Sequence, residues 1–293
     1  MATDYLAELQ KDISEKLNRL LPTREADVDK PPRQATKPDL PLTARLPPRG
    51  HIEDDWRARP TAQRPWPVIL IHGTGDTNGI WQQLTIELRE DGWAVFAPEF
   101  GQRCTDQVEE SAAQVGAYIE AVLTVTGAER VVIVGHSQGG VLARYWMRLL
   151  DGAAKVHHLI SLGVPHHGTT MGGMLSSVTT TKTGETMMNA IVQSWFGPSG
   201  FQLITGHPLL EELNDGGSTE PGVGYTNIAT KNDTIIQPTE TSFLVSEDPE
   251  ADITNILLQD LEPKALVLHM DMPGDVRVRS LVREALDGLV EQD

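Results

Sequence analysis

The strongest constraint on the fold is the stretch VVIVGHSQGG at residues 131–140. Four apolar β-forming residues lead into a glycine-rich turn, and the following VLARYWMRLL has the spacing of an amphipathic helix. A serine at the tip of such a turn has a strained backbone, so the residues two before and two after it need to be glycine. Gly135 and Gly139 occupy these positions. The pattern predicts a buried strand, a sharp turn that presents Ser137, and a helix whose first N–H groups face developing negative charge.

The segments on either side of this turn alternate between short apolar stretches and longer amphipathic ones. Predicted strands cover residues 68–71, 93–101, 131–134, 159–162, 225–229 and 253–259, and predicted helices cover residues 79–91, 107–125, 141–150 and 276–290. Strands this apolar must be covered on both faces, which is typical of parallel sheets. The sequence therefore predicts an α/β fold with a mostly parallel sheet and helices on both faces.

Three regions are predicted along the chain. Residues 1–21 have the spacing of an amphipathic helix. We expect this helix to dock on the domain or on a second copy, which would form a homodimer. Membrane targeting is an alternative that the acidic residues of the helix disfavour. Residues 22–65 are rich in proline and are expected to form an extended arm or linker without chemistry. Residues 66–293 are expected to form the catalytic body.

The alternation breaks at about residues 170–224, which we interpret as an insertion. Its large apolar side chains include Met171, Met174, Met187, Met188, Ile191, Trp195 and Phe196. A helix through FQLI and PLLEELN follows them, with Ser199 and Gln202 as a predicted capping box. The apolar residues either contact apolar ligands or form the core of a subdomain. In both cases the insertion lies over the C-terminal edge of the sheet, where ligands bind.

Composition limits the classes of partner and cofactor. A formal net charge of −17 disfavours nucleic acid and anionic membranes and favours a neutral substrate. Cys104 is the sole cysteine, which excludes an intramolecular disulfide, and we expect its thiol to be buried. No apolar run approaches the ~20 residues of a transmembrane segment. Because His157, His158, His166 and His167 lack further ligands at metal-binding spacing, we predict no metal and no cofactor.

Ser137 needs a histidine base and a carboxylate that orients this base. In a sheet of this kind the acid follows the next-to-last strand and the histidine follows the last strand. The loop after the next-to-last predicted strand offers Asp233, with Asp215 and Asp248 as alternatives in polar turns. The loop after the last strand offers His269, which is the one histidine that this order allows.

An oxyanion formed by attack of Ser137 on a carbonyl group needs two N–H donors. We expect the backbone N–H of Gln138, directly after the nucleophile, and that of Thr74 in the loop after residues 68–71. Because both donors belong to the main chain, we expect replacement of the Thr74 side chain to have little effect.

The remaining histidines near these motifs receive structural interpretations. His136 is expected to pack or to form hydrogen bonds, because its side chain points away from that of the serine. His72 is expected to support the loop that carries Thr74. His166 and His167 lie near the same sheet edge, so substrate contact is an alternative to a structural role for these two.

Several stretches together resemble a known protein family. They are HGTG, APEFG, SAAQVGAYIEAVLTVTGAERVVIVGHSQGGVLARYW, HGTT, GVGYTNIATKND and NILLQDL. From about residue 66 to the C terminus, the chain is similar to the bacterial α/β-hydrolase lipases and esterases of the class 2 type found in actinobacteria. The resemblance implies an α/β-hydrolase fold with a cap or lid insertion after residues 159–162, the strand that the family numbers sixth. It also implies hydrolysis of carboxylic esters, with the residues deduced above at the family's triad and oxyanion-hole positions.

The sequence differs from this family in two ways that concern location. Leu261, Glu262 and Pro263 lie where secreted members usually have cysteines, and the N-terminal helix and arm lie where a signal peptide is expected. We therefore expect a cytoplasmic protein, with secretion as the alternative.

The predicted function is hydrolysis of a small-molecule ester or lipid through an acyl-enzyme on Ser137. An acyltransferase with the same triad is the enzymatic alternative, and a non-catalytic lipid-binding protein is the alternative from another class. No nucleic-acid partner and no transmembrane segment are expected.

Overall fold

The computed structural model of the protein describes residues 40–170 and 182–292, without the side chains of residues 182–189 and 292. The described residues belong to one compact unit, Leu40–Asp293. The predicted N-terminal helix and the first part of the proline-rich arm lie outside the described residues. The same holds for Met171 and Met174, and for the side chains of Met187 and Met188.

The described residues contain a single sheet of six strands in the order β2-β1-β3-β4-β5-β6. The strands are β1 (Val68–Ile71), β2 (Val95–Phe96), β3 (Val131–His136), β4 (Val156–Leu162), β5 (Gly224–Ala229) and β6 (Ile253–Leu257). All neighbouring strands pair in parallel, so the predicted parallel sheet is confirmed. β2 is shorter than predicted because it lies at the sheet edge and is soon followed by Pro98, which has no N–H to donate.

Helices cover both faces of this sheet, as predicted. The longer helices are α1 (Gln82–Glu90), α2 (Val108–Thr126), α3 (Gln138–Leu149), α4 (Lys182–Gln202), α5 (Pro208–Asn214) and α6 (Val276–Gln292), and short helical segments cover Gly101–Cys104 and Leu258–Leu261. Side chains alternate along β1, so Ile69 and Ile71 belong to the core with α2 and α3, whereas Val68 and Leu70 belong to the core with α1 and α6. Among the described helices, none is both long and apolar enough to span a bilayer.

The C-terminal ends of parallel strands meet at one edge of the sheet. The loop that carries Thr74 follows β1, and Ser137 directly follows β3. Asp233 lies in the loop after β5, and His269 lies in the loop after β6. Residues far apart in the sequence are therefore brought to the same edge.

The segment between β4 and β5, which the sequence predicts to contain an insertion, includes α4 and α5. Gly197 has φ 75° and ψ −169°, which together with Pro198 interrupts the helical geometry of α4. The predicted capping box is wrong because Ser199 lies within α4. Its hydroxyl donates to the Cys104 carbonyl oxygen at 3.3 Å, and the Gln202 side chain accepts the N–H of Val108 at 2.8 Å. These contacts attach the end of α4 to Cys104 and to the first residue of α2.

Residues 40–65, the second half of the proline-rich arm, lie against the domain and have little regular structure. The Asn78 side chain accepts the N–H of Ile52 and donates to the Ile52 carbonyl oxygen, both at 3.1 Å. This part of the arm is thus attached to the domain by specific polar contacts. Residues 40–50, which lie beside the sheet edge that carries the predicted site, are called the strap below.

Candidate active site

Ser137 lies at the tip of the turn between β3 and α3, with φ 53° and ψ −128°. A positive φ is strained for a residue other than glycine. The turn is tight: a Cβ on Gly139 would lie 2.3 Å from the Ile71 carbonyl oxygen, and one on Gly135 would lie 2.7 Å from the Gly140 Cα. The predicted need for glycine on both sides of the serine therefore agrees with the packing of this turn.

His269 bridges Ser137 and Asp233. Its Nδ1 lies 2.6 Å from Asp233 Oδ2, and its Nε2 lies 3.0 Å from Ser137 Oγ. Because a carboxylate accepts but does not donate, the short contact places the ring proton on Nδ1. Nε2 is then free to accept the proton of the serine hydroxyl. All three residues are buried, so water competes little for these hydrogen bonds.

The Asp233 carboxylate is oriented by its own loop. Its Oδ1 accepts the backbone N–H groups of Ile235 and Ile236, both at 2.8 Å, while Oδ2 accepts from His269. Oδ1 therefore binds the loop backbone, and Oδ2 binds the imidazole. The loop that places Asp233 at the sheet edge also determines which oxygen faces the imidazole.

His136, next to the nucleophile, contacts the backbone of the predicted base. Its Nε2–H donates to the His269 carbonyl oxygen at 3.0 Å, across the sheet edge. Burial is the main reason that the pKa of His136 lies well below its usual range, so the ring is neutral at neutral pH. This hydrogen bond connects the turn of Ser137 directly to the loop that positions His269.

The loop that carries Thr74 lies directly against the nucleophile. A Cβ on Gly73 would lie 2.8 Å from the Ser137 Cβ, so glycine is required for this close approach. The Thr74 hydroxyl donates to the Gln138 side-chain oxygen at 2.5 Å. This side-chain contact joins the two residues whose backbone N–H groups are the predicted oxyanion donors, which the sequence did not indicate.

Asp76 lies beside the same loop between two arginines. The Arg49 guanidinium is 3.7 Å from its carboxylate, and Arg103 Nε is 3.4 Å from its backbone carbonyl oxygen. Burial raises the pKa of Asp76, and the charges of Arg49 and Arg103 oppose this effect. We did not identify these three residues from the sequence; the one available signal was that Asp76 directly follows the HGTG motif.

A cavity of about 350 Å³ opens at Ser137, Thr74 and His269. Its lining is mainly apolar and includes Leu46, Pro47, Trp195, Phe196, Leu203, Ile235 and Ile236. A larger cavity of about 1030 Å³ lies near the start of β5 and contains none of the predicted catalytic residues. The smaller cavity is therefore the candidate substrate site, because it joins apolar walls to the serine and histidine.

Other candidates from the sequence lie outside this arrangement. Asp215 and Asp248 are exposed, and neither lines the cavity at Ser137. His166 is buried with Nε2 3.1 Å from the Asn227 side-chain oxygen, which supports a structural role. Within residues 40–170 and 182–292, no group of three potential ligands is arranged to hold a metal ion.

Cys104 is fully buried, and burial raises the pKa of its thiol well above the usual range. Its thiol therefore stays protonated and unreactive at neutral pH, which agrees with the structural role expected from the sequence.

Comparison with known proteins identifies the family to which this chain belongs. The sequence model of the class 2 lipases matches residues 65–257. The chain is 30% identical over 138 residues to a triacylglycerol lipase of Pseudarthrobacter phenanthrenivorans, a match that covers 45% of this chain and 42% of the relative. A triacylglycerol lipase of Burkholderia plantarii is also 30% identical over 138 residues, covering 45% and 37%. The chain therefore spans less than half the length of these curated relatives.

Solved structures show the same fold. Aspergillus fumigatus lipase B superimposes with a TM-score of 0.59 at 20% identity, covering 75% of this chain and 52% of that chain. The mature form of a Bacillus licheniformis lipase gives a TM-score of 0.55 at 15% identity and covers 81% and 94%. The predicted α/β-hydrolase fold is thus confirmed.

Proposed function

This chain belongs to the class 2 lipase family, and on that premise we propose that it is a serine ester hydrolase acting on neutral small-molecule esters or lipids. The observation that carries the proposal is the position of His269, 3.0 Å from the Ser137 hydroxyl and 2.6 Å from the Asp233 carboxylate. This is the geometry that an activated serine nucleophile requires. The names of the matched relatives, triacylglycerol lipases, support the same reaction class.

In the proposed mechanism, Ser137 Oγ attacks the ester carbonyl carbon while His269 Nε2 takes the hydroxyl proton. Asp233 holds the other imidazole proton at Nδ1 and stabilises the positive charge that develops on the ring. The backbone N–H groups of Thr74 and Gln138 donate to the oxyanion. His269 then protonates the departing alkoxide, and a water molecule activated by His269 releases the acid from the serine.

The walls of the cavity support a neutral acyl group as the part that enters. The lining is mainly apolar, with Trp195, Phe196 and Leu203 among its residues. Burial of an acyl chain contributes roughly 0.8 kcal/mol per methylene group. The net charge of −17 also favours neutral over anionic substrates.

The test is the rate of p-nitrophenyl butyrate hydrolysis by the full chain and by Ser137→Ala. We expect the variant to lose turnover and labelling by a fluorophosphonate, with an unchanged thermal midpoint. Ser161→Ala is the matched control, because Ser161 is a buried serine on the neighbouring strand and lies outside the cavity. Equal turnover by the wild type and Ser137→Ala would refute the proposal. Added alcohol acceptors, with product analysis, separate hydrolysis from acyl transfer.

A further inference from the structure

The strap connects the insertion to the catalytic loops. The N–H of Leu42 donates to the Ser194 carbonyl oxygen at 2.9 Å, and the Thr43 hydroxyl donates to the Trp195 carbonyl oxygen at 2.6 Å. At its other end, the Arg49 guanidinium donates to the Met270 carbonyl oxygen at 2.7 Å, next to His269. The strap is therefore attached on both sides of the cavity.

Arg103 holds the middle of the strap. Its Nη1 donates to the carbonyl oxygens of Ala44 at 2.7 Å and Leu46 at 2.5 Å, residues more than fifty positions earlier in the chain. Its own carbonyl oxygen accepts the N–H of Gly75 at 2.8 Å. One residue thus links the strap to the loop that carries Thr74.

The backbone around Arg103 is strained. Gln102, Arg103 and Cys104 have φ values of 45°, 65° and 58°, which form a short left-handed turn. A left-handed conformation is unfavourable for a residue other than glycine because its Cβ lies too close to the backbone. Strain of this kind persists where the surrounding contacts require it and is concentrated at functional sites. The guanidinium that donates to the strap belongs to this left-handed turn.

Leu46 is the large apolar side chain that the strap presents to the cavity. It lines the cavity together with Pro47 and Arg49, and 62% of the residue is exposed. An apolar side chain in this position loses its contact with water when an apolar chain lies against it, which favours binding of that chain. Phe196, Leu203 and Ile236, which also line the cavity, are apolar as well.

We propose that the strap is a wall of the acyl-binding cavity, that Leu46 determines acyl-chain preference, and that Arg103 is the positioning residue that holds this wall. The inference rests on the proposed ester hydrolase function. It identifies the acyl chain as the part of the substrate that the strap selects. It assigns a specificity role to a segment for which the sequence predicted none.

The first test is the ratio of kcat/KM for p-nitrophenyl decanoate to that for p-nitrophenyl butyrate. Leu46→Ala removes apolar surface that a long acyl chain covers and is expected to lower this ratio about tenfold, whereas Leu46→Trp enlarges this surface and is expected to raise it by a similar factor. The matched controls are Leu261→Ala and Leu261→Trp, because Leu261 is 60% exposed and lies outside this cavity. An unchanged ratio in both Leu46 variants overturns the proposal.

The second test concerns Arg103. Arg103→Met is expected to shift the same ratio, and adding Leu46→Ala to it is expected to change the ratio no further, because the wall is already released. A purely structural role would lower both rates together and leave the ratio at the wild-type value. Arg103→Lys keeps one donor for a strap carbonyl and is expected to give an intermediate ratio. Full additivity of the two substitutions contradicts the role of Arg103.

Failure of the proposed function gives a different result from failure of this inference. If the wild type cleaves neither ester, the hydrolase proposal fails. The strap is then tested by the dissociation constants of the two esters for Ser137→Ala, with and without Leu46→Ala. A ratio of these constants that Leu46→Ala leaves unchanged overturns the strap proposal, and a shift of about tenfold supports it.

Discussion

Backbone N–H groups near Asp233 determine which of its two carboxylate oxygens contacts the His269 imidazole. The N–H groups of Ile235 and Ile236 occupy Oδ1, so Oδ2 is the atom available to the imidazole. The exposed Asp248 carboxylate accepts the N–H of Glu250, a contact within its own turn. Both aspartates lie in the connection between β5 and β6, and these hydrogen-bond partners distinguish them.

Asp233→Asn is expected to lower kcat by ~10⁴, the loss that the corresponding substitution causes in serine proteases. The amide presents an N–H₂ group or a weaker acceptor to His269, so the ring adopts the wrong tautomer for accepting the serine proton. The measurement is kcat for p-nitrophenyl butyrate, with Asp248→Asn as control. A larger loss in Asp248→Asn shows that the acid has been misassigned.

Thr74 has a role that its position in the motif did not reveal. Its hydroxyl donates to Gln138, so the two proposed oxyanion donors are held by a side-chain contact. We now expect Thr74→Val to lower kcat about tenfold, because a hydrogen bond between partly buried groups contributes about 0.5–1.5 kcal/mol. Thr74→Ser keeps the hydroxyl and is expected to retain most of the activity. Equal kcat values for Thr74→Val and Thr74→Ser would mean that the Thr74 hydroxyl does not contribute to catalysis, as expected from the sequence.

At the scale of elements, α2 and α3 approach closely because of a glycine. A Cβ on Gly116 in α2 would lie 2.3 Å from Cδ1 of Trp146, a buried residue of α3. Gly288 in α6 is also within a helix, but a Cβ there would meet nothing within 4 Å. Substitution of Gly288 therefore tests helix propensity alone, whereas substitution of Gly116 also tests the packing between α2 and α3.

Gly288→Ala is expected to stabilise the protein by up to about 1 kcal/mol, since alanine has the higher helix propensity. Gly116→Ala gains the same propensity, but the clash with Trp146 is expected to make it destabilising by about 1–3 kcal/mol. Urea unfolding followed by circular dichroism measures both free energies of unfolding. Stabilisation by Gly116→Ala would mean that Trp146 has room to move.

At the scale of the whole molecule, several histidines are buried in the neutral form. Burial lowers the pKa of His72 and of His158 to about 4, and it lowers the pKa values of His136 and His166 well below the usual range. In the unfolded chain these groups titrate near pH 6.5. Below that pH the unfolded state binds more protons than the folded state, so acid favours unfolding.

The stability from these histidines is fully present above pH 6.5 and is lost as the pH falls towards 4. Each contributes at most about 1.4 kcal/mol per pH unit in this window. The thermal midpoint is therefore expected to fall by more than about 5 °C between pH 7.5 and pH 5.5. His158→Gln removes one of these groups and is expected to reduce the fall of the thermal midpoint between pH 7.5 and pH 5.5. A midpoint that is constant over this range contradicts the prediction.

Fold and candidate site differ in how far the sequence predicts them. The β3–α3 turn follows from the local steric need for Gly135 and Gly139, and the parallel sheet follows from the alternation of apolar strands and amphipathic helices. Ser137, Asp233 and His269 could be selected because their order along the chain is tied to the order of the strands. Their catalytic roles remain the proposal that the Ser137 and Asp233 variants test.

Only the tertiary structure could decide the contacts between loops. The Arg103 guanidinium reaches the Ala44 carbonyl oxygen across 59 residues, and the His136 ring reaches the His269 carbonyl oxygen across 133 residues. Such contacts have no periodicity and follow no local rule, because they depend on where separate loops meet after the sheet has formed. For the same reason, residues that the sequence marked as a linker without chemistry line the cavity beside the nucleophile.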